Sequence, residues 1–137
     1  MLIVDASVAI KWVVNEQHSE LAIALLDQEL AAPELWLPEV ANALWAKQAR
    51  GLLEEEEARG CLRELIGAPV QALPMAGLVL LAFEAAVTLR HPAYDCCYLA
   101  AAQAHDCALV TADGRLARRV ARHPDLARRV RLLWQPN

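Results

Sequence analysis

The chain opens on Leu2-Ile3-Val4, a short apolar run rich in β-branched residues that stops at Asp5. Its brevity and branching favour a buried strand over a helix. From Ala6 onward, Val8, Ala9, Trp12 and Val13 recur three and four positions apart, so a helix over 6–14 follows the strand directly. The strand-to-helix junction falls at positions 5–7. The same period predicts helices over 20–30, with a cap at His18-Ser19, and over 38–49, with Pro38 in the first turn and Gly51 as the stop. Further helices are predicted over 53–66, 75–90 (ended by His91-Pro92), 95–105 and 114–123, the last rich in arginine.

Between the helices lie short apolar segments. Residues 32–37 read as a strand or extended link, and 70–73, 107–111 and 130–134 as strands, while 124–128 is a turn or short helix. Strands separated by helical crossovers rather than hairpins predict an α/β fold, a three-layer sandwich around a central parallel sheet of about five short strands. No Gly/Ser-rich linker or repeat divides the sequence, so one domain over 1–137 is expected.

Composition narrows this picture. A chain of 137 residues, 57% hydrophobic, is long enough to bury roughly 65–70% of its unfolded surface in one core. No apolar run approaches the ~18 residues of a membrane span, and the N-terminus lacks a basic region and cleavage site, so a soluble cytoplasmic protein is expected. Cys61, Cys96, Cys97 and Cys107 have neither CxxC nor framework spacing and read as reduced thiols. His18, His91, His105 and His123 lack the i, i+4 spacing of a helical zinc site and read as surface or structural residues. Tyr94 reads as a packing residue, with stacking on a base as the alternative. The net charge of −4 conceals a division: residues 1–104 carry 14 of the 17 acids, whereas 105–137 carry 7 of the 13 basic residues.

Four acids stand where a parallel sheet presents chemistry, outside the carboxyl ends of its strands. Asp5 ends the first strand, Asp113 follows the 107–111 strand by two residues, and Glu39 and Asp95 fall in the first turns of predicted helices. Acids in a first helical turn are favoured by the dipole alone, by ~0.3–1 kcal/mol. Asp5 is different, because its apolar flanks bury it, and a buried carboxylate needs a cation, whether a metal or an arginine partner. Several carboxylates in one crevice suit hard ions such as Mg²⁺ or Mn²⁺, and such a site suits phosphoryl chemistry. The chain holds no GxGxxG, GxxxxGK[ST], GxSxG or HExxH motif. An aspartyl nucleophile at Asp5 is the remaining enzymatic alternative, although no second acid follows two residues on.

Four segments together resemble the PIN domain family, and within it the VapC-like toxins of bacterial toxin–antitoxin pairs. They are LIVDASVAIKW, LPEVANALWAKQARGLL, HPAYDCCYLAAAQ and ALVTADGRLARRV, in order over nearly the whole chain. The resemblance implies an open parallel sheet, a metal-dependent endoribonuclease and an acidic quartet of Asp5, Glu39, Asp95 and Asp113 that binds Mg²⁺ or Mn²⁺. Ser7 and Thr111 match hydroxyl positions near that quartet. It further implies an RNA substrate, a homodimer and a cognate antitoxin protein that blocks the groove. Asn42, one turn beyond Glu39, is a candidate to orient that carboxylate or touch substrate. Arg115, Arg118, Arg119 and Arg122 follow Asp113 at helical spacing and are candidates for the RNA backbone, with a solvated, ion-paired helix as the alternative. A catalytically silent module that binds RNA or protein is the competing functional reading.

Overall fold

Residues 1–135 are described by a computed structural model. Its sheet has the order β3-β2-β1-β4-β5, with every neighbouring pair parallel. The strands are β1 (Leu2–Val4), β2 (Leu30–Pro33), β3 (Val70–Leu73), β4 (Ala108–Thr111) and β5 (Val130–Leu132). The first strand lies at the centre because its residues are apolar on both faces, as a strand covered on both sides requires. Ile3 pairs with Leu109 and Val4 with Val110, and the pleat sends the two pairs in opposite directions. Ile3 and Leu109 enter the larger core; Val4 and Val110 enter a smaller one with Val8, Ala22, Leu30 and Leu133. Two cores on one sheet make the expected three-layer α/β sandwich.

The helices are α1 (Ala6–Ala9, continued by a 3-10 turn over Ile10–Trp12), α2 (Ser19–Ala24, continued over Leu25–Asp27), α3 (Trp36–Ala49) and α4 (Glu55–Ile66). They are followed by α5 (Val79–Leu89), α6 (Ala93–Ala104), α7 (Gly114–Val120) and α8 (Pro124–Ala127). Every predicted helix exists, but several boundaries move. The helix predicted over 20–30 ends at Asp27, because Gln28 turns extended and Leu30 to Pro33 are drawn into the sheet between β1 and β3. The strand expected within 32–37 therefore lies earlier, and Trp36, Leu37 and Pro38 belong to the first turn of α3. The helix predicted from residue 75 begins at Val79, after a turn closed by the Leu78 amide on the Met75 carbonyl. At α4 the glutamate run does what its dipole suggests: Glu54 and Glu57 form a reciprocal capping box.

The largest departure is α6. The sequence predicts a helix over 95–105 without setting it apart from the others, whereas every residue from Cys96 to Ala102 is buried. Ala100, Ala101 and Ala102 leave room for the helix to lie directly on β1, β2 and β4, while α5 covers its other side. All four cysteines are free thiols, and burial holds Cys96 up at about 11. Among the described residues, no helix is long and apolar enough to cross a membrane.

Candidate active site

The sheet order places the change of winding direction between β1 and β4, and the carboxyl ends of these strands are the edge at which such sheets carry their ligands. Asp5 stands at the end of β1 and caps α1, its Oδ1 accepting from the Val8 amide at 3.2 Å. The cap ties the acid to the start of its helix. Ser7 Oγ donates to Asp5 Oδ1 at 2.5 Å, and Thr111 Oγ1 donates to Asp5 Oδ2 at 2.5 Å. Those hydroxyls also accept, Ser7 Oγ from the Ala112 amide and Thr111 Oγ1 from the Asp113 amide, each at 2.9 Å. The ends of β1 and β4 are thus stitched through one carboxylate. Ser7 and Thr111 both hold Asp5.

Asp5 is only 7% exposed, and burial raises its carboxyl to about 6 against the lowering effect of its three hydrogen bonds, with the charge of Asp113 a smaller raising influence. No lysine or arginine pairs with it among the described residues. The arginine alternative raised by the sequence is therefore removed. With both carboxylate oxygens engaged, Asp5 is also poorly disposed to attack phosphorus as a nucleophile.

Asp113 caps α7, its Oδ1 accepting from the amides of Arg115 (2.9 Å) and Leu116 (3.3 Å). Glu39, in the first turn of α3, receives a 2.7 Å hydrogen bond at Oε1 from the hydroxyl of Tyr98. Burial raises the Glu39 carboxyl, Tyr98 opposes this, and the charges of Asp95 and Asp5 add to the rise. Burial and the neighbouring Glu39 carboxylate raise Tyr98 far above the ordinary phenol range, so it stays a donor. Asp95, in the first turn of α6, lies 2.8 Å from His91 Nε2 through Oδ2.

The four acids thus share one electrostatic neighbourhood, but the tightest grouping differs from the predicted quartet. Among the described residues, the donor atoms that lie within 4.8 Å of one another as a group of three belong to His91, Asp95 and Asp113. Sequence reasoning missed His91 and Tyr98. His91 and Asp95 do stand four apart, a spacing a His–Asp search would have found; Tyr98 gives no local sign of its distant partner.

Other candidates fall outside the cluster. Asn42 is exposed, and among the described residues the side-chain hydrogen bond to Glu39 comes from Tyr98. Tyr94 is 72% exposed, which overturns its reading as a packing residue. Arg115, Arg118, Arg119 and Arg122 are exposed on and just beyond α7.

The donor set fits a hard divalent cation: several carboxylates, one buried without a cationic partner, and one imidazole. Comparison with known proteins agrees with the geometry. The PIN domain family model matches residues 2–122. Ribonuclease VapC9 of Mycobacterium tuberculosis is 35% identical over 117 residues, which are 85% of this chain and 89% of that protein. The crystal structure of PAE2754 from Pyrobaculum aerophilum superposes with a TM-score of 0.68 at 25% identity, covering 86% of this chain and 78% of that one. A chain of a toxin–antitoxin complex from Klebsiella pneumoniae gives a TM-score of 0.67 at 14% identity, covering 99% and 100%.

Proposed function

Because the chain belongs to the PIN domain family, we propose that it is an endoribonuclease that hydrolyses RNA phosphodiester bonds with Mg²⁺ or Mn²⁺ held by Asp5, Glu39, Asp95 and Asp113. The observation that carries this reading is the convergence of these carboxylates at the switch point, with Asp5 buried and without a cationic partner. A bound cation would supply positive charge for the phosphodiester in its transition state and would acidify attacking water. The chain's own residues fix the donors. Ser7 and Thr111 immobilise both oxygens of Asp5, Tyr98 holds one oxygen of Glu39, and His91 holds one oxygen of Asp95. Asp113 commits Oδ1 to capping α7, which leaves Oδ2 as the oxygen that would serve a cation. Holding the donors in advance reduces the reorganisation needed when substrate binds.

The likeness to ribonuclease VapC9 and to a chain of a toxin–antitoxin complex supports a toxin role. In this reading the protein acts in the cytoplasm as a homodimer and is neutralised by a cognate antitoxin protein. The test is cleavage of RNA by purified protein with Mn²⁺ or Mg²⁺, abolished by EDTA and reduced at least a hundredfold in Asp5→Ala and Asp95→Asn. Wild-type rates in those variants would sink it. Heat of Mn²⁺ binding without cleavage would favour the silent binding module instead.

A further inference from the structure

Beside the acid cluster is a second, oppositely charged feature. A cavity of about 680 Å³ opens between the C-terminus of α5 and the outer face of α7, lined by Arg90, Arg115, Arg118, Arg119, Arg122 and His123. Its two walls are the segments that deliver the acid cluster, since Arg90 precedes His91 and Arg115 lies two residues after Asp113. Arg118 leans back toward that cluster: a Cβ added at Gly114, next to Asp113, would lie 3.1 Å from Arg118 Nη1.

Ion pairing was the ordinary explanation for an arginine-rich helix, and it fails here. None of the five arginines makes a salt bridge among the described residues, in a chain with 17 acids. Arg119 is accounted for otherwise, because its Nη1 donates to the terminal α5 carbonyls of Leu89, at 3.4 Å, and Arg90. It braces α7 against α5 and so shapes the cavity. Arg90 ends α5 in the left-handed conformation, φ 52°, a position where glycine carries no strain. Arg90 nonetheless stands there and lines the cavity. Four guanidiniums with no internal counter-charge repel one another until an anion enters, and guanidinium forks match phosphate oxygens.

We infer that this cavity is a phosphate-binding cup in which Arg90, Arg115, Arg118 and Arg122 grip the backbone of single-stranded RNA next to the bond being cut, with Arg119 as a positioning residue. The inference rests on the ribonuclease reading and deepens it. RNA is favoured over an acidic protein segment because the cup adjoins the cluster proposed to act on phosphodiesters, so one strand could set a phosphate in the cup while its neighbour lies where the acids would hold a cation.

The test is binding of a labelled single-stranded RNA oligonucleotide in EDTA, followed by fluorescence anisotropy between about 50 and 200 mM salt. Arg90→Ala, Arg118→Ala and Arg122→Ala should each reduce the slope of log Kd against log salt by about 0.7, the loss of one phosphate contact. Arg118→Lys should keep the slope while weakening affinity, because charge is retained and the fork is lost. Unchanged slopes in all three alanine variants, with melting temperatures preserved, would overturn the inference. Inorganic phosphate bound more tightly than the RNA oligonucleotide at matched ionic strength would reassign the cup to a free anion, and polyglutamate bound more tightly than RNA would reassign it to an acidic protein segment, and either result also overturns it. The two readings fail separately. RNA bound through the cup but never cut with any metal would sink the ribonuclease reading alone, whereas cutting with unchanged slopes would sink the cup alone.

Discussion

Tyr98 and Glu39 stand 59 positions apart, yet the phenol hydroxyl lies 2.7 Å from Glu39 Oε1. The buried centre of α6 thereby fixes a carboxylate that α3 carries. Tyr98→Phe keeps the ring and its packing and removes only this donor. The expected outcome is a fall of about tenfold or more in Mn²⁺ affinity or in cleavage rate, because outer partners orient metal-binding carboxylates. The loss of stability should be small, about 1 kcal/mol. Calorimetric Mn²⁺ titration beside a melting curve checks both. An unaltered Mn²⁺ affinity would show that Glu39 needs no such support.

Thr111 is completely buried and joins Asp5 to the Asp113 amide. Thr111→Val conserves shape but leaves a buried carboxylate oxygen and an amide without partners. A destabilisation of about 1–3 kcal/mol is expected in denaturant unfolding. Ser7→Ala should cost less, because Ser7 is less deeply buried than Thr111 and Asp5 Oδ1 retains the Val8 amide.

The raised carboxyl of Asp5 gives the metal-free protein a definite pH dependence. Folded Asp5 holds its proton to about pH 6, whereas the unfolded chain releases it near 3.8. Between those values the folded state binds more protons, so stability falls as pH rises and is lowest, by about 3 kcal/mol, once Asp5 ionises. Melting temperatures of the EDTA-treated protein from pH 4 to pH 7 should show this decline, and Asp5→Asn should remove it. A metal-free wild type that gains stability over that range, with no difference from Asp5→Asn, would contradict the burial argument.

His91 is buried with its Nε2 on Asp95 Oδ2. His91→Ala should weaken Mn²⁺ binding about 10- to 100-fold, by freeing Asp95 or by removing a donor. Electron spin echo modulation of the Mn²⁺ complex separates the two roles, since only direct ligation gives a nitrogen signal that His91→Ala abolishes.

Much of the fold was legible because its elements carry local signatures. The β-branched run ending at Asp5, the prolines and glycines around the helices and the glutamates at the start of α4 each constrain nearby backbone by nearby chemistry. The same is true of Asp5, Asp113, Glu39 and Asp95, whose positions at strand ends and first helical turns place them at one edge of a parallel sheet. The position of β2 was not legible. The spacing assigns Leu30 to a helix and residues 32–37 to a strand or extended link, whereas Leu30 to Pro33 become the strand because β1 and β3 offer hydrogen bonds on both sides.

By itself, then, the sequence determined the α/β alternation, the buried first strand and the places of four acids at the ends of elements, since these follow from spacing, burial and the ends of elements. Only the tertiary structure decided what surrounds each acid: hydroxyls rather than an arginine at Asp5, Tyr98 at Glu39 and His91 at Asp95. It likewise decided that, among the described residues, the arginines of α7 form no salt bridge. The physical reason is that hydrogen bonds and charge pairs are formed across the fold by residues distant in sequence, while helix and strand periodicity reports only on residues within a few positions.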